Sequence, residues 1–144
     1  MFNFDLDFDL IIFNLIQLLI TFLLSLPIAL NRELNNDGAG LRTFPLVSIS
    51  SCAFMLVGID VYTGSADAEA RVMYGIITGM GFIGGGAIFK NQEGTQGTAT
   101  AAGLWITAAI GISVAYSRYE IALILSTVGF LIFHFSKPFK KNTP

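Results

Sequence analysis

The sequence predicts an all-α membrane protein, a polytopic bundle of about five transmembrane helices forming one domain over residues 1–144. Three observations predict it. Hydrophobic residues make up 53% of the 144 and charged residues only 12%, whereas a soluble domain carries about 25% charged residues. The apolar residues fall in runs long enough to cross hydrocarbon, which takes about 20 helical residues. Five such helices use roughly 100 residues, so only short loops remain and no separate globular domain fits.

The first span is expected over 10–30, an uncharged run interrupted by Asn14, Gln17, Ser25 and Pro27. Pro27 lacks an N–H and frees the carbonyl of Leu23, which predicts a bend. A polar loop follows, with the turn signal Asn35-Asn36-Asp37-Gly38. The second span, 44–61, contains Ser48, Ser50, Ser51 and Gly58, small residues suited to helix contacts in lipid. The third, 72–89, carries six glycines: Gly75, Gly79, Gly81, Gly84, Gly85 and Gly86. The fourth, 99–116, opens on the small-residue run from Gly97 to Gly103. The fifth, 119–135, takes in Tyr119 and Glu120 to reach spanning length.

Charge sets the expected orientation, because basic loops are retained in the cytoplasm. Five spans put Arg32, Arg42, Lys90, Lys137, Lys140 and Lys141 on one face, and only Arg71 and Arg118 on the other. The N-terminus is therefore expected outside and the C-terminus in the cytoplasm, in a multi-pass protein of a bacterial-type inner (plasma) membrane. Asp5, Asp7 and Asp9 stand where a signal peptide would carry Lys or Arg, so the first apolar run is expected to stay in the mature protein. The net charge of −2 shows no basic nucleic-acid footprint.

Gly79-Met80-Gly81-Phe82-Ile83-Gly84 matches G-x-G-x-x-G, but it lacks the preceding strand and the acid about 20 residues on that hold a dinucleotide. In lipid the same glycines have another use. Gly75 with Gly79, and Gly81 with Gly85, form G-x-x-x-G pairs that let helices approach closely. The alternative is a break at Gly84-Gly85-Gly86 lining a polar path. Around Thr98, Thr100 and Trp105 the same choice arises between close helix packing and hydroxyls offered to an ion. Charges gather at helix ends, with Arg32, Glu33 and Arg42 near one face and Asp60, Asp67, Glu69 and Arg71 near the other. Carboxylates at these ends are possible Mg²⁺ contacts, and solvated loop charge is the simpler reading. No acid or base lies mid-span, where a proton relay would need one. His134 is alone, Cys52 has no disulfide partner, and no catalytic constellation is visible. Neither an enzyme nor a resident cofactor is expected, and the metal ligands, if any, are unknown.

Four patches together resemble the MgtC/SapB family of bacterial inner-membrane proteins. They are Arg32-Glu33; Ala39-Gly40-Leu41-Arg42-Thr43; Arg71 leading into Thr78 to Gly86; and Gly97 through Thr100-Ala101-Ala102 to Leu104-Trp105. The resemblance covers roughly residues 10 to 135, the family's membrane domain. Asn31 stands where the family usually has an acid, and Phe44 where it has a polar residue. The C-terminal soluble domain of many relatives has no counterpart in these residues. The resemblance implies a role in magnesium and membrane-energy homeostasis, exerted by regulating a membrane partner such as the F-type ATP synthase. A transporter or channel for Mg²⁺ or another small solute is the alternative. The glycine faces lead to the expectation of a homo-oligomer. Arg32, Glu33, Arg42 and Arg71 are the expected polar cluster at the helix ends. The six glycines with Thr98, Thr100 and Trp105 are the expected packing or pore residues.

Overall fold

The computed structural model describes residues 7–35, 38–91 and 94–136. It holds five helices and one small hairpin in the order α1(Phe8–Leu34), α2(Thr43–Val61), α3(Ala66–Gly86), β1(Phe89–Asn91), β2(Gly94–Gln96), α4(Thr98–Ala115) and α5(Tyr119–Phe135). Lys137, Lys140 and Lys141, which carry half of the expected basic face, lie outside the described residues, as do Asp5, Asn36 and Asp37. α1, α2 and α4 are each long and apolar enough to cross a membrane, and α5 is a shorter apolar helix.

Local chemistry sets the helix starts. The Asp7 carboxylate accepts from the backbone N–H groups of Asp9 (3.0 Å) and Leu10 (3.2 Å), capping α1. α1 then continues through Pro27 to Leu34. α3 starts at Ala66, ahead of its apolar run. Ser65 caps it, Asp67 and Glu69 meet the positive end of the helix dipole, and Arg71 pairs with Asp67 one turn away. α3 runs unbroken through Gly84, Gly85 and Gly86 and stops there. Phe89 instead begins the hairpin, whose antiparallel register pairs Phe89 with Gln96 and Lys90 with Thr95. Gly97 closes it with φ +85°, and a Cβ there would collide with the Ala87 carbonyl.

α4 is the central helix. It packs against each of the other four, most extensively against α2, whereas α3 lies at the edge on α2 and α4. A helix with neighbours on most of its sides needs small residues where they cross. A Cβ on Gly111 would strike the Ser48 carbonyl of α2. One on Gly103 would stand 2.8 Å from the Phe44 ring and 3.0 Å from that of Phe133. On α5, a Cβ on Gly129 would lie 2.7 Å from Ile28 of α1. Between these crossings Ile28, Met55, Leu104, Ile110 and Val114 fill the core.

The glycines of α3 behave differently. Only Gly84 has neighbours, Ala101 and the Trp105 indole nitrogen, each at 3.6 Å from a Cβ position. A Cβ on Gly75, Gly79, Gly81, Gly85 or Gly86 would meet nothing within 4 Å. These five therefore make no close helix contact among the described residues.

Gly111→Ala is predicted to destabilise the folded protein by about 1–3 kcal/mol, because backbone cannot yield as a flexible side chain can. Gly75→Ala, in open space, is predicted to stay within about 1 kcal/mol of the parent or gain slightly. Thermal unfolding of both variants in one detergent checks the contrast.

Candidate functional site

Lipid offers a polar side chain no water, so each such group in a span needs a partner in the protein. Most hydroxyls here use their own helix. Thr21 donates to the Gln17 carbonyl (2.8 Å), Ser51 to that of Val47 (2.9 Å) and Thr107 to those of Leu104 (3.0 Å) and Gly103 (3.1 Å). Ser126 crosses instead, donating to the Leu24 carbonyl of α1 at 2.6 Å. The fully buried Ser48 Oγ has no hydrogen-bond partner among the described residues.

Two polar constellations remain, one at each end of the bundle. The first gathers around the C-terminal turn of α1. Arg32 is only 7% exposed. Its Nη2 donates to Thr100 Oγ1 of α4 at 2.8 Å, and its guanidinium carbon lies 5.0 Å from the centre of the Phe133 ring of α5. One side chain thus joins three helices through a charge-assisted hydrogen bond and a cation–π contact. Beside it, the Asn31 amide nitrogen lies 3.4 Å from His134 Nδ1, and the His134 ring stacks on Phe130. Glu33 points the other way and accepts the Leu41 N–H at 3.0 Å. The loop is drawn so close that a Cβ on Gly40 would overlap the Glu33 carboxylate. Gly38, at φ +88°, lies over Thr100, with its Cβ position 3.4 Å from the hydroxyl.

The first, second and fourth sequence patches therefore converge here. Arg32, Glu33 and Thr100 come together, and both departures take part. Asn31 turns its amide to His134. Phe44 is fully buried, with its ring against Gly103 of α4.

Four other expected site residues stand apart. Arg71 is at the opposite end, 80% exposed and paired with Asp67 at 3.0 Å. Arg42 is exposed at the start of α2 with no capping hydrogen bond from its side chain. Thr98 is exposed on the first turn of α4. Trp105 faces outward beside Gly84.

The second constellation was not expected. Gln17 is fully buried on α1. It accepts from the Tyr119 hydroxyl (2.8 Å) and donates to Ser117 Oγ (3.4 Å), tying α1 to the α4–α5 turn. Tyr116 donates to Glu69 of α3 at 3.0 Å. A signal was present, since Gln17, Thr21 and Ser25 recur every fourth residue and so share one helix face. Among the described residues, no group of three or more His, Cys, Asp or Glu is placed to hold a metal ion.

Comparison with known proteins follows the same patches. The model of the MgtC family matches residues 18–142. YhiD of Escherichia coli K12, whose name proposes magnesium transport, is 32% identical over 124 residues, covering 82% of this chain and 58% of that protein. SrpB of Synechococcus elongatus is 34% identical over 120 residues, covering 75% and 66%. Protein MgtC of Salmonella typhimurium is 32% identical over 114 residues, covering 79% and 48%. The chain thus spans about half to two thirds of these relatives. No solved structure matches.

Thr100→Val is predicted to destabilise the fold by about 1–3 kcal/mol, by leaving a buried guanidinium without one acceptor. Thr98→Val, two residues away and exposed, is predicted to change stability by less than about 0.5 kcal/mol. Equal effects in detergent unfolding would separate Thr100 from any role as the Arg32 acceptor.

Proposed function

The chain belongs to the MgtC family, and from that premise we propose that it supports magnesium and membrane-energy homeostasis by contact with a membrane partner in the bacterial inner membrane. The observation that carries this is the set of uncovered glycines on α3, with Gly75 and Gly79 on one side of the helix and Gly81 and Gly85 on another. Glycine costs a helix roughly 0.5–1 kcal/mol relative to alanine, and Gly75, Gly79, Gly81, Gly85 and Gly86 gain no close contact in return among the described residues. In lipid, what small residues offer in return is close approach of another helix. A second copy of this chain or a helix of another membrane protein, the F-type ATP synthase among them, would pack against these glycines. The filled interior agrees with this reading, because α4 and its neighbours place Leu104, Ile110, Val114 and Met55 where a solute path would run.

Transport is the second reading. YhiD's name favours it, and so does the buried polar face of Gln17, Thr21 and Ser25 on α1, with Ser48 on α2. In either case we place the Arg32 end in the cytoplasm, with Arg42 and Lys90 on the same side.

A photoreactive residue at Ile77 is predicted to capture a defined protein partner in native membranes, and Gly81→Leu to abolish that capture at unchanged expression. Capture of lipid alone, together with Mg²⁺ flux in liposomes, would replace regulation by transport.

A further inference from the structure

At the end of the bundle opposite Arg32, a cavity of about 460 Å³ opens between α1, α2 and the end of α4. Its walls are largely apolar, formed by Leu10, Phe13, Leu56, Val57, Ile59 and Ala115. Its polar groups are Asn14, Asp60, Thr63, Tyr116 and Ser117. Among the described residues, Asp60 is the only charged one in the lining.

The electrostatics of the cavity are one-sided. Asp60 sits in the last turn of α2, where the carbonyl end of the helix already carries partial negative charge. α4 brings a second carbonyl end to the same cavity, and neither helix has a basic residue in its last turn. The two arginines at this end are engaged elsewhere, Arg71 with Asp67 (3.0 Å) and Arg118 with Glu120 (2.6 Å). Asp60 forms no ion pair among the described residues. The charge of Asp60 is therefore left to solvent or to a cation that enters the cavity.

The backbone adds a separate sign. Ser117 has φ +55°, the one non-glycine residue with positive φ among those described. It occupies the left-handed position that ends α4, with the Arg118 N–H reaching back to the Ser113 carbonyl at 2.8 Å. Glycine is the usual residue there. Serine instead supplies a hydroxyl, which accepts from Gln17 and lines the cavity. Strain of this kind gathers at ligand sites.

We propose that this cavity binds an organic monocation, an ammonium group carried on a short hydrocarbon. One carboxylate balances one positive charge. The apolar walls and the Phe13 and Tyr116 rings suit the hydrocarbon and the cation face. The volume lies within the range of small-ligand sites. A single carboxylate among neutral oxygens is a weak site for Mg²⁺, which keeps several waters and is usually held by one or two carboxylates together with phosphates. A zwitterionic lipid headgroup fits poorly, because no cation in the lining would hold its phosphate. The inference is independent of the magnesium reading, since it concerns the other end of the bundle.

The test is thermal unfolding of the purified full chain, in detergent without phosphatidylethanolamine, titrated with n-butylammonium chloride. Ligand that binds only the folded state raises the midpoint. The expected result is saturable stabilisation by n-butylammonium and none by n-butanol, with apparent affinity at least tenfold weaker in Asp60→Asn. Asp60 is exposed, so this variant is expected to fold. As a second variant, Arg71→Gln at the same end is expected to bind like the parent. Equal stabilisation of the parent and Asp60→Asn would overturn the proposal. So would Mg²⁺ displacing n-butylammonium at equal concentration, which would make this a metal site. Stabilisation by added phosphatidylethanolamine but not by n-butylammonium would overturn it in favour of a lipid site.

Discussion

The bundle depends on the contact of α2 and α4 backbones where Gly111 meets the Ser48 carbonyl. Lipid removes the hydrophobic drive that holds helices together in water, so van der Waals contact and interhelical hydrogen bonds must serve. Both grow stronger as backbones approach. Gly111 allows that approach at one level of α4, and Gly103 allows Phe44 and Phe133 to close in at another. With α4 fixed at the centre, α1 and α5 dock together through Ile28 and Gly129. Thr100 is then carried to the one place where Arg32 can reach it.

The polar groups follow from the same solvent. Hydroxyls bond mainly to carbonyls of their own helix, which satisfies them but fixes no neighbour. Longer side chains do the joining. Arg32 links α1, α4 and α5 at one end, and Gln17 links α1 to Ser117 and Tyr119 at the other. A buried hydrogen-bonded charge is strongly destabilising to break from one side. The Arg32 end therefore joins three helices, and next to it Glu33 accepts from the loop at Leu41. In contrast, the cavity at the other end holds Asp60, which has no ion pair among the described residues, and Ser117, whose backbone is left-handed.

The fold class was legible because spanning length and missing charge are coarse properties that lipid imposes on any helix. α5 was legible as well, down to Tyr119, since polar residues bracket its apolar run. The start of α3 was less so. Hydropathy marks where apolar residues begin, whereas Ser65, Asp67 and Glu69 cap and start the helix earlier. The hairpin at Phe89 to Gln96 was hidden because two three-residue strands carry too little pattern to stand out. At the site, Arg32, Glu33 and Thr100 were found through the family pattern. Phe133 and Gly103 were not, since an apolar ring and a single glycine look like any other packing residue. The six glycines of α3 drew attention by number, whereas the closest crossings fell to Gly103, Gly111 and Gly129. Density of glycine in a helix says that close approach is allowed, and only the neighbours decide where it happens.

The account makes the Gly111–Ser48 crossing the pivot of everything else, and solid-state NMR of the chain in bilayers reads it directly. With ¹³C at serine carbonyls and glycine α-carbons, a through-space cross-peak is predicted that disappears in Gly111→Ala. A spectrum with no cross-peak sensitive to that substitution would mean that α2 and α4 do not touch there, and the central position of α4 would fall with it.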